Sequence, residues 1–318
     1  MFVRNTTVLA FLLALSTGTV AAQGKGADQP VQRTDANSKL AHQQMVDNLK
    51  KGRIDVYFVG DSITRRWRAT DYPKFLENWN ENFFGWNAAN YGWGADSIQN
   101  ILWRMQNGEI EGISPKVIVL LAGTNNIGST PASDAKAEDV VKGIKALLDT
   151  LRDKAPKATI ILMGILPRND GAKPTALVAS IDKINEKIAK LADGKSIRYV
   201  NINDKLADKD GRLLEGMSQD RLHLSVKGYQ VWADALKPLL TELLGPPAKE
   251  DNAPPPTGDP SAKKKGDKTA AIIDMEGNGQ SRDRTGDLRI FSPSLYQLSY
   301  LSSCESLRQH VEAGNPNR

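Results

Sequence analysis

From Ile54 onward the chain alternates short apolar runs with longer stretches of helical spacing, and that alternation constrains the fold more than any other feature. The runs are 54–59, 88–91, 116–121, 159–163 and 196–202. Between and after them, 97–107, 134–154, 174–193 and 226–244 carry apolar residues at helical intervals, and 39–51 does so before the first run, with Leu40, Met45, Val46 and Leu49. A strand that reads as nearly continuous apolar sequence is buried on both faces, and a helix of ten or more residues between two such strands provides a right-handed crossover. The expectation is a three-layer α/β/α domain over 39–245 built on a five-stranded parallel sheet. Asp96 and Gln99 have the spacing of a capping box opening the second helix, Ser225 can cap the last one, and Pro156 and Gly194 punctuate helix ends.

The flanks differ in character. Met1-Phe2-Val3-Arg4, the apolar Val8 to Leu15 and the small residues Val20-Ala21-Ala22 have the layout of a cleaved export signal over 1–22. This predicts a secreted or periplasmic protein; the alternative is an N-terminal membrane anchor, for which the uncharged stretch is short. Residues 23–38 are polar and read as a flexible leader. Residues 246–270, rich in Pro, Lys and Asp, read as a linker. Residues 271–318 hold one short apolar stretch and read as a disordered or marginal tail.

Composition narrows the chemistry. A net charge of +5 with both signs interspersed, and no basic stripe with interleaved aromatics, argues against a nucleic-acid partner. The single cysteine, Cys304, lies in the tail, so the expected domain has no internal disulfide, thiolate metal site or thiol nucleophile. Three histidines are too few for a His-rich zinc site, and no cofactor is expected. A G-x-G-x-x-G between the first strand and its helix, which a dinucleotide site calls for, is missing. The sequence sets no oligomeric state.

The informative residues fall where predicted strands end, the edge at which open parallel sheets place their sites. Ser62 follows the first strand in Gly60-Asp61-Ser62. Gly92-Trp93-Gly94-Ala95-Asp96 follows the second, and Gly123-Thr124-Asn125-Asn126 the third. Asp220 and His223 lie in the loop before the last helix. Of the histidines, His42 precedes the first strand and His310 lies in the tail, so His223 is the candidate base. A serine hydroxyl is a poor nucleophile until a base takes its proton, and the base needs an orienting carboxylate. Asp61 reads as a loop-bonding residue. Trp67, Trp79, Trp86 and Trp103 read as packing, and Arg104 and Arg168 as salt-bridge residues.

Those four blocks resemble the SGNH (GDSL) hydrolases, over essentially the whole of 40–245. Phe58-Val59-Gly60-Asp61-Ser62, Leu102-Trp103-Arg104, Asn107-Gly108-Glu109, Pro115 to Val119 and Leu166-Pro167-Arg168 are similar in particular to the branch containing the platelet-activating-factor acetylhydrolase catalytic subunits. The resemblance implies a flavodoxin-like fold, Ser62 as nucleophile, His223 as general base and then acid, and Asp220 as orienting carboxylate. It implies an oxyanion hole made by the Ser62 N–H, a backbone N–H of the second loop and the Asn125 amide. The family's glycine in that loop is replaced by Ala95, with Gly94 as the fallback donor. Trp93 and Asn126 are candidates for the substrate pocket, and pairing with Asp220 is expected to raise the His223 pKa. The implied activity is hydrolysis of small acyl esters, acetyl first, by an exported enzyme meeting acetylated carbohydrate. The alternatives are a lysophospholipase or lipid acetylhydrolase, and a non-catalytic glycan- or protein-binding module on the same fold.

Overall fold

The computed structural model describes residues 26–262, so the expected signal segment and tail lie outside the described residues. In chain order the elements are α1 (Ala36–Asn48), β1 (Val56–Gly60), α2 (Ser62–Arg68), α3 (Pro73–Phe83), β2 (Ala88–Gly92), α4 (Ile98–Gln106), β3 (Val117–Leu121), α5 (Thr124–Ile127), α6 (Asp134–Lys154), β4 (Thr159–Met163), α7 (Pro174–Ala189), β5 (Ile197–Val200), α8 (Asn203–Leu206) and α9 (Val226–Leu244). The five strands form one parallel sheet in the order β2-β1-β3-β4-β5. Chain connection reverses direction on either side of β1, so the crevice for a ligand opens at the carboxyl ends of β1 and β3.

Side chains alternate across the sheet and build two cores. Tyr57, Val59, Ile118, Leu120, Ile160 and Leu162 pack beneath α1, α4, α6 and α7. Val56, Phe58, Val117, Val119, Ile161 and Met163 pack beneath α2, α3 and α9. The second core is aromatic. Trp67 lies 4.9 Å from both Tyr229 and Trp232, 5.5 Å from Trp79 and 6.1 Å from Phe58, centroid to centroid. Its indole N–H donates to Asn78 Oδ1 at 3.0 Å. This anchor matters because Trp67 belongs to the helix that begins at Ser62; emptying the site by Trp67→Ala would cost about 3–5 kcal/mol.

Where sequence and structure differ, the reasons are local. Helices α2 and α3 were not expected. The first has seven residues, too few to show a period; the second carries Phe75, Trp79 and Phe83 at four-residue steps with Pro73 in its first turn, a signal that was present. The cap of α4 is Ser97 with Asn100 in a capping box, one residue later than the Asp96–Gln99 spacing suggests, which frees the Asp96 side chain for other partners. Ser225 caps α9 as expected, accepting from the Gly228 N–H at 3.1 Å.

Two segments expected to be flexible are packed. In 26–35, Ala27 is fully buried, the Val31 N–H donates to the Gln99 carbonyl at 3.0 Å, and Arg33 reaches Gly94 and Asp96. In 246–262 the chain returns along the domain: the Arg53 N–H donates to the Asn252 carbonyl at 2.8 Å, and Asp251 Oδ2 accepts from the backbone N–H groups of Gly85 and Asn87. The buried Arg68 donates to the Pro254 carbonyl at 2.6 Å, and Thr70 N–H to Thr257 at 3.1 Å. These attachments are backbone hydrogen bonds and single polar side chains, so hydrophobic periodicity cannot reveal them.

Candidate active site

Strand β1 ends at Gly60, where a side chain would collide with neighbours: a Cβ there would sit 2.2 Å from Thr64 Oγ1 and 2.4 Å from the Leu121 carbonyl. The chain then turns at once into α2. Asp61 is the N-cap, its Oδ1 accepting from the Ile63 N–H at 2.9 Å, and Ser62 is the first helical residue. Residues of a first helical turn have no intrahelical acceptor for their N–H groups, so both the hydroxyl and the N–H of Ser62 stand at the strand ends. Tyr229 fixes the turn from α9 by donating to the Ile63 carbonyl at 2.7 Å.

The loop before α9 brings the other two groups. Ser62 Oγ lies 2.9 Å from His223 Nε2, and His223 Nδ1 lies 2.7 Å from Asp220 Oδ2. The other carboxylate oxygen of Asp220 accepts from the backbone N–H groups of His223, at 2.7 Å, and Leu222, at 3.1 Å. The Asp-x-x-His turn therefore folds back on its own carboxylate, with Arg221 in the left-handed region at φ 66°. Asn169, after β4, clamps this loop: its N–H donates to the Arg221 carbonyl and its amide N–H to the Gly211 carbonyl.

The charges of the relay follow from this packing. Burial works against the Asp220 carboxylate, but hydrogen bonds from the His223 backbone and ring outweigh it and hold the group down at about 2. Burial draws the His223 imidazole below its ordinary 6.5; the Asp220 bond pulls upward, and the positive charges of Arg66 and Arg168 oppose it. The expected upward shift is thus reversed. Sequence shows the carboxylate three residues away but neither the burial nor Arg66, which reaches Asp220 Oδ2 at 3.5 Å from one turn along α2.

The loop after β3 enters α5 through Gly123 at φ 117°, where a Cβ would sit 2.7 Å from Ile165 Cδ1. Asn125 follows, its Nδ2 donating to the Asp96 carbonyl at 2.9 Å. One amide hydrogen is thereby used and the amide plane fixed, with the second hydrogen still to donate. Buried Arg168 ties this loop to the next by donating to the Thr124 carbonyl at 2.9 Å while pairing with Asp170 at 2.6 Å. Arg104 is likewise buried and paired, with Asp96 at 2.7 Å and with Glu109. Both arginines are salt-bridge residues, as their sequence context suggests.

The second loop is held apart from ordinary backbone geometry. Ala95 has φ 63°, a conformation glycine adopts freely and an L-residue at a cost, which gives the glycine of related sequences a physical reason. Its side chain is exposed. The two pocket candidates are each fixed by hydrogen bonds. Trp93 is buried, its indole N–H on Ser38 Oγ at 2.9 Å and its ring under the Arg65 guanidinium at 4.9 Å. It borders a cleft of about 210 Å³ lined also by His42 and Trp103 and by no member of the relay. Asn126 spends both ends of its amide on α4, accepting from the Ile98 N–H at 2.8 Å and donating to Gln99 at 2.8 Å. These bonds tie the loops after β2 and β3 to α1 and α4.

Asp61 caps α2 through the Ile63 N–H, in line with a structural role. Burial pushes its carboxyl up to about 7, with the Ile63 N–H pulling down and the nearby Asp96 adding to the rise.

Comparison with known proteins agrees with this geometry. The model of the GDSL-like lipase/acylhydrolase family matches residues 58–231. The chain belongs to that family. It is 34% identical over 234 residues to platelet-activating factor acetylhydrolase IB subunit alpha1 of Bos taurus, covering 73% of this chain and 95% of that protein. It is 35% identical over 207 residues to the alpha2 subunit of Rattus norvegicus, covering 64% and 83%. The crystal structure of a GDSL-like lipase from Bacteroides thetaiotaomicron superposes with a TM-score of 0.51 at 20% identity, covering 64% of this chain and 98% of that one, and shares the fold. This GDSL family member is an ester-hydrolysing enzyme, which sets aside the reading as a binding module.

Proposed function

We propose that the enzyme removes short acyl groups, acetyl first, from alcohols through an acyl-serine intermediate at Ser62. The observation that carries this reading is the unbroken chain Ser62 Oγ–His223 Nε2–Asp220 Oδ2 at 2.9 and 2.7 Å. His223 takes the hydroxyl proton as Ser62 Oγ bonds to the carbonyl carbon, and negative charge moves onto the carbonyl oxygen. Donors from the Ser62 N–H, the Ala95 N–H and the Asn125 amide meet that charge, each contributing about 3–4 kcal/mol where it forms only in the transition state. The proton passes to the departing alcohol, and a water, deprotonated by the same imidazole, releases the acid. Asp220, ionised over the working range, keeps the ring oriented with Nε2 toward Ser62.

Acetyl as the acyl group is supported by relatives of one-third identity that are named acetylhydrolases. For the alcohol we favour acetylated carbohydrate, because residues 1–22 have the pattern of an export signal and an exported enzyme meets such esters. An acetylated phospholipid is the second reading, favoured by the platelet-activating factor in the names of those relatives. The test has two parts. Ser62→Ala should remain folded and lose hydrolysis of p-nitrophenyl acetate, and a fluorophosphonate should label Ser62 in the parent; activity within a few-fold of the parent would overturn the serine mechanism. Acetate release is then compared over acetylated xylan, acetylated monosaccharides and an acetyl glycerophospholipid, and preference for the last replaces the carbohydrate reading.

A further inference from the structure

The stretches Leu102-Trp103-Arg104 and Asn107-Gly108-Glu109 take no part in the proton relay, yet Arg104 is only 4% exposed. A guanidinium buried so far must find acceptors for its donors, and those of Arg104 are spread over four places in the chain. Its Nε donates to Asp96 Oδ2 at 2.7 Å, Nη1 to the Tyr91 carbonyl at 3.0 Å and to the Glu109 carboxylate, and Nη2 to the Gly60 carbonyl at 3.3 Å. The network extends outward at both ends. Glu109 Oε1 lies 2.7 Å from His42 Nδ1 on α1. The second oxygen of Asp96 accepts from Arg33 Nη1 at 3.3 Å, and the same nitrogen donates to the Gly94 carbonyl at 3.1 Å.

Each candidate oxyanion donor is tied to a residue that this network holds. The Ser62 N–H lies two residues beyond the Gly60 carbonyl. The Ala95 N–H belongs to the peptide whose carbonyl is that of Gly94, held by Arg33. The Asn125 amide rests on the Asp96 carbonyl. The geometry points to Arg104 as a positioning residue of the oxyanion hole: its planar fork fixes the end of β1 against the loop after β2, so that three donors converge before substrate arrives. Lysine cannot substitute, because one ammonium cannot reach the Asp96 carboxylate and the Gly60 carbonyl in the same plane. The inference rests on the proposed serine mechanism and extends it to a residue that touches no reacting atom.

A purely structural ion pair would shift stability and leave the kinetic pattern alone, so the test reads kinetics. Arg104→Lys, Glu109→Gln, Asn125→Ala and the two doubles with Asn125→Ala are made in the full chain, checked for folding by circular dichroism, and assayed on p-nitrophenyl acetate. Arg104→Lys is expected to lower kcat about 10–100-fold with KM within about threefold, since the lost stabilisation belongs to the transition state. In that background Asn125→Ala should cost at least about fivefold less than in the parent, because the amide is already misplaced. Glu109→Gln, which loosens Arg104 from its far side, should lower kcat by about severalfold with the same non-additivity; if Arg104→Lys does not fold, this variant carries the cycle. A kcat within threefold of the parent, or losses at Arg104 and Asn125 that simply multiply, overturns the positioning role. Fluorophosphonate labelling of the parent separates the two ideas: without labelling at Ser62 the serine mechanism itself fails.

Discussion

Ala95→Gly should make the protein more stable while leaving catalysis nearly untouched. Ala95 has φ 63° and an exposed side chain. Placing an L-residue in the left-handed region costs about 1–2 kcal/mol. Glycine removes that cost but adds freedom to the unfolded chain, which subtracts about 0.4–1 kcal/mol. The exposed methyl contributes little burial, so its loss hardly enters. The net gain is about 0.8 kcal/mol at the centre of these ranges, and for a domain of this size each kcal/mol moves Tm by about 2–4 °C. Calorimetry should therefore show a rise of about 2–3 °C. The N–H proposed as an oxyanion donor remains, so kcat and KM on p-nitrophenyl acetate should stay within about threefold, with longer acyl groups tolerated slightly better. A Tm equal to or below that of the parent would refute the strain argument. A kcat loss as large as that of Asn125→Ala would show that the methyl or the stiffness of the loop matters to the chemistry.

Three further expectations follow from the site. The rate should rise with pH as His223 loses its proton and then level off, with the midpoint below 6.5 because burial favours the neutral ring; a pH–kcat/KM profile with its midpoint above 6.5 would contradict that cause. Asn125→Ala should lower kcat by about a hundredfold or more with a small change in KM, and steady-state kinetics showing no loss would remove it from the oxyanion hole. Asp61→Asn keeps an oxygen for the Ile63 N–H but cannot ionise. A carboxyl raised to about 7 from 3.8 favours the folded state only while protonated, so the parent loses that contribution as pH rises from about 4 through 7. The Tm of the variant relative to the parent should therefore climb by at least about 2 °C between pH 5 and pH 8 in thermal melts, and a constant difference would refute it.

Much of this was legible in the sequence, for physical reasons that can be named. The five strands and the longest helices announce themselves because burying both faces of a sheet demands continuous apolar runs: 134–154 and 226–244 were placed to the residue. Ser62, Asp220 and His223, each read from a place where a strand or loop meets the carboxyl edge of the sheet, are in hydrogen-bond contact in the structure. What escaped depends on contacts between distant segments. The reversal of the His223 shift needs the burial of its ring and the position of Arg66. The bonds of Trp93 and Asn126 go to Ser38 and to the first turn of α4, partners that sequence neighbours do not suggest. Helix α3 is readable as Phe75, Trp79 and Phe83 at four-residue steps, a repeat that Trp79 taken singly does not show.

The returning segment after α9 has a practical consequence for anyone choosing where to cut this protein. A boundary drawn by hydrophobic pattern, at Gly245, keeps every strand and helix of the sheet domain and looks complete. It would nonetheless remove the Asp251 carboxylate from the N–H groups of Gly85 and Asn87, the Asn252 carbonyl from Arg53, and the Pro254 carbonyl from the buried Arg68. Gly85, Asn87 and Arg68 are buried residues, and each of their donors left without a partner costs about 1–3 kcal/mol where water does not replace it, a sizeable share of the stability of an ordinary domain. Expression designs that stop at the last helix should yield insoluble or protease-sensitive material, and those that run through Ala262 should not. For this chain, the unit that folds is longer than the unit that looks folded.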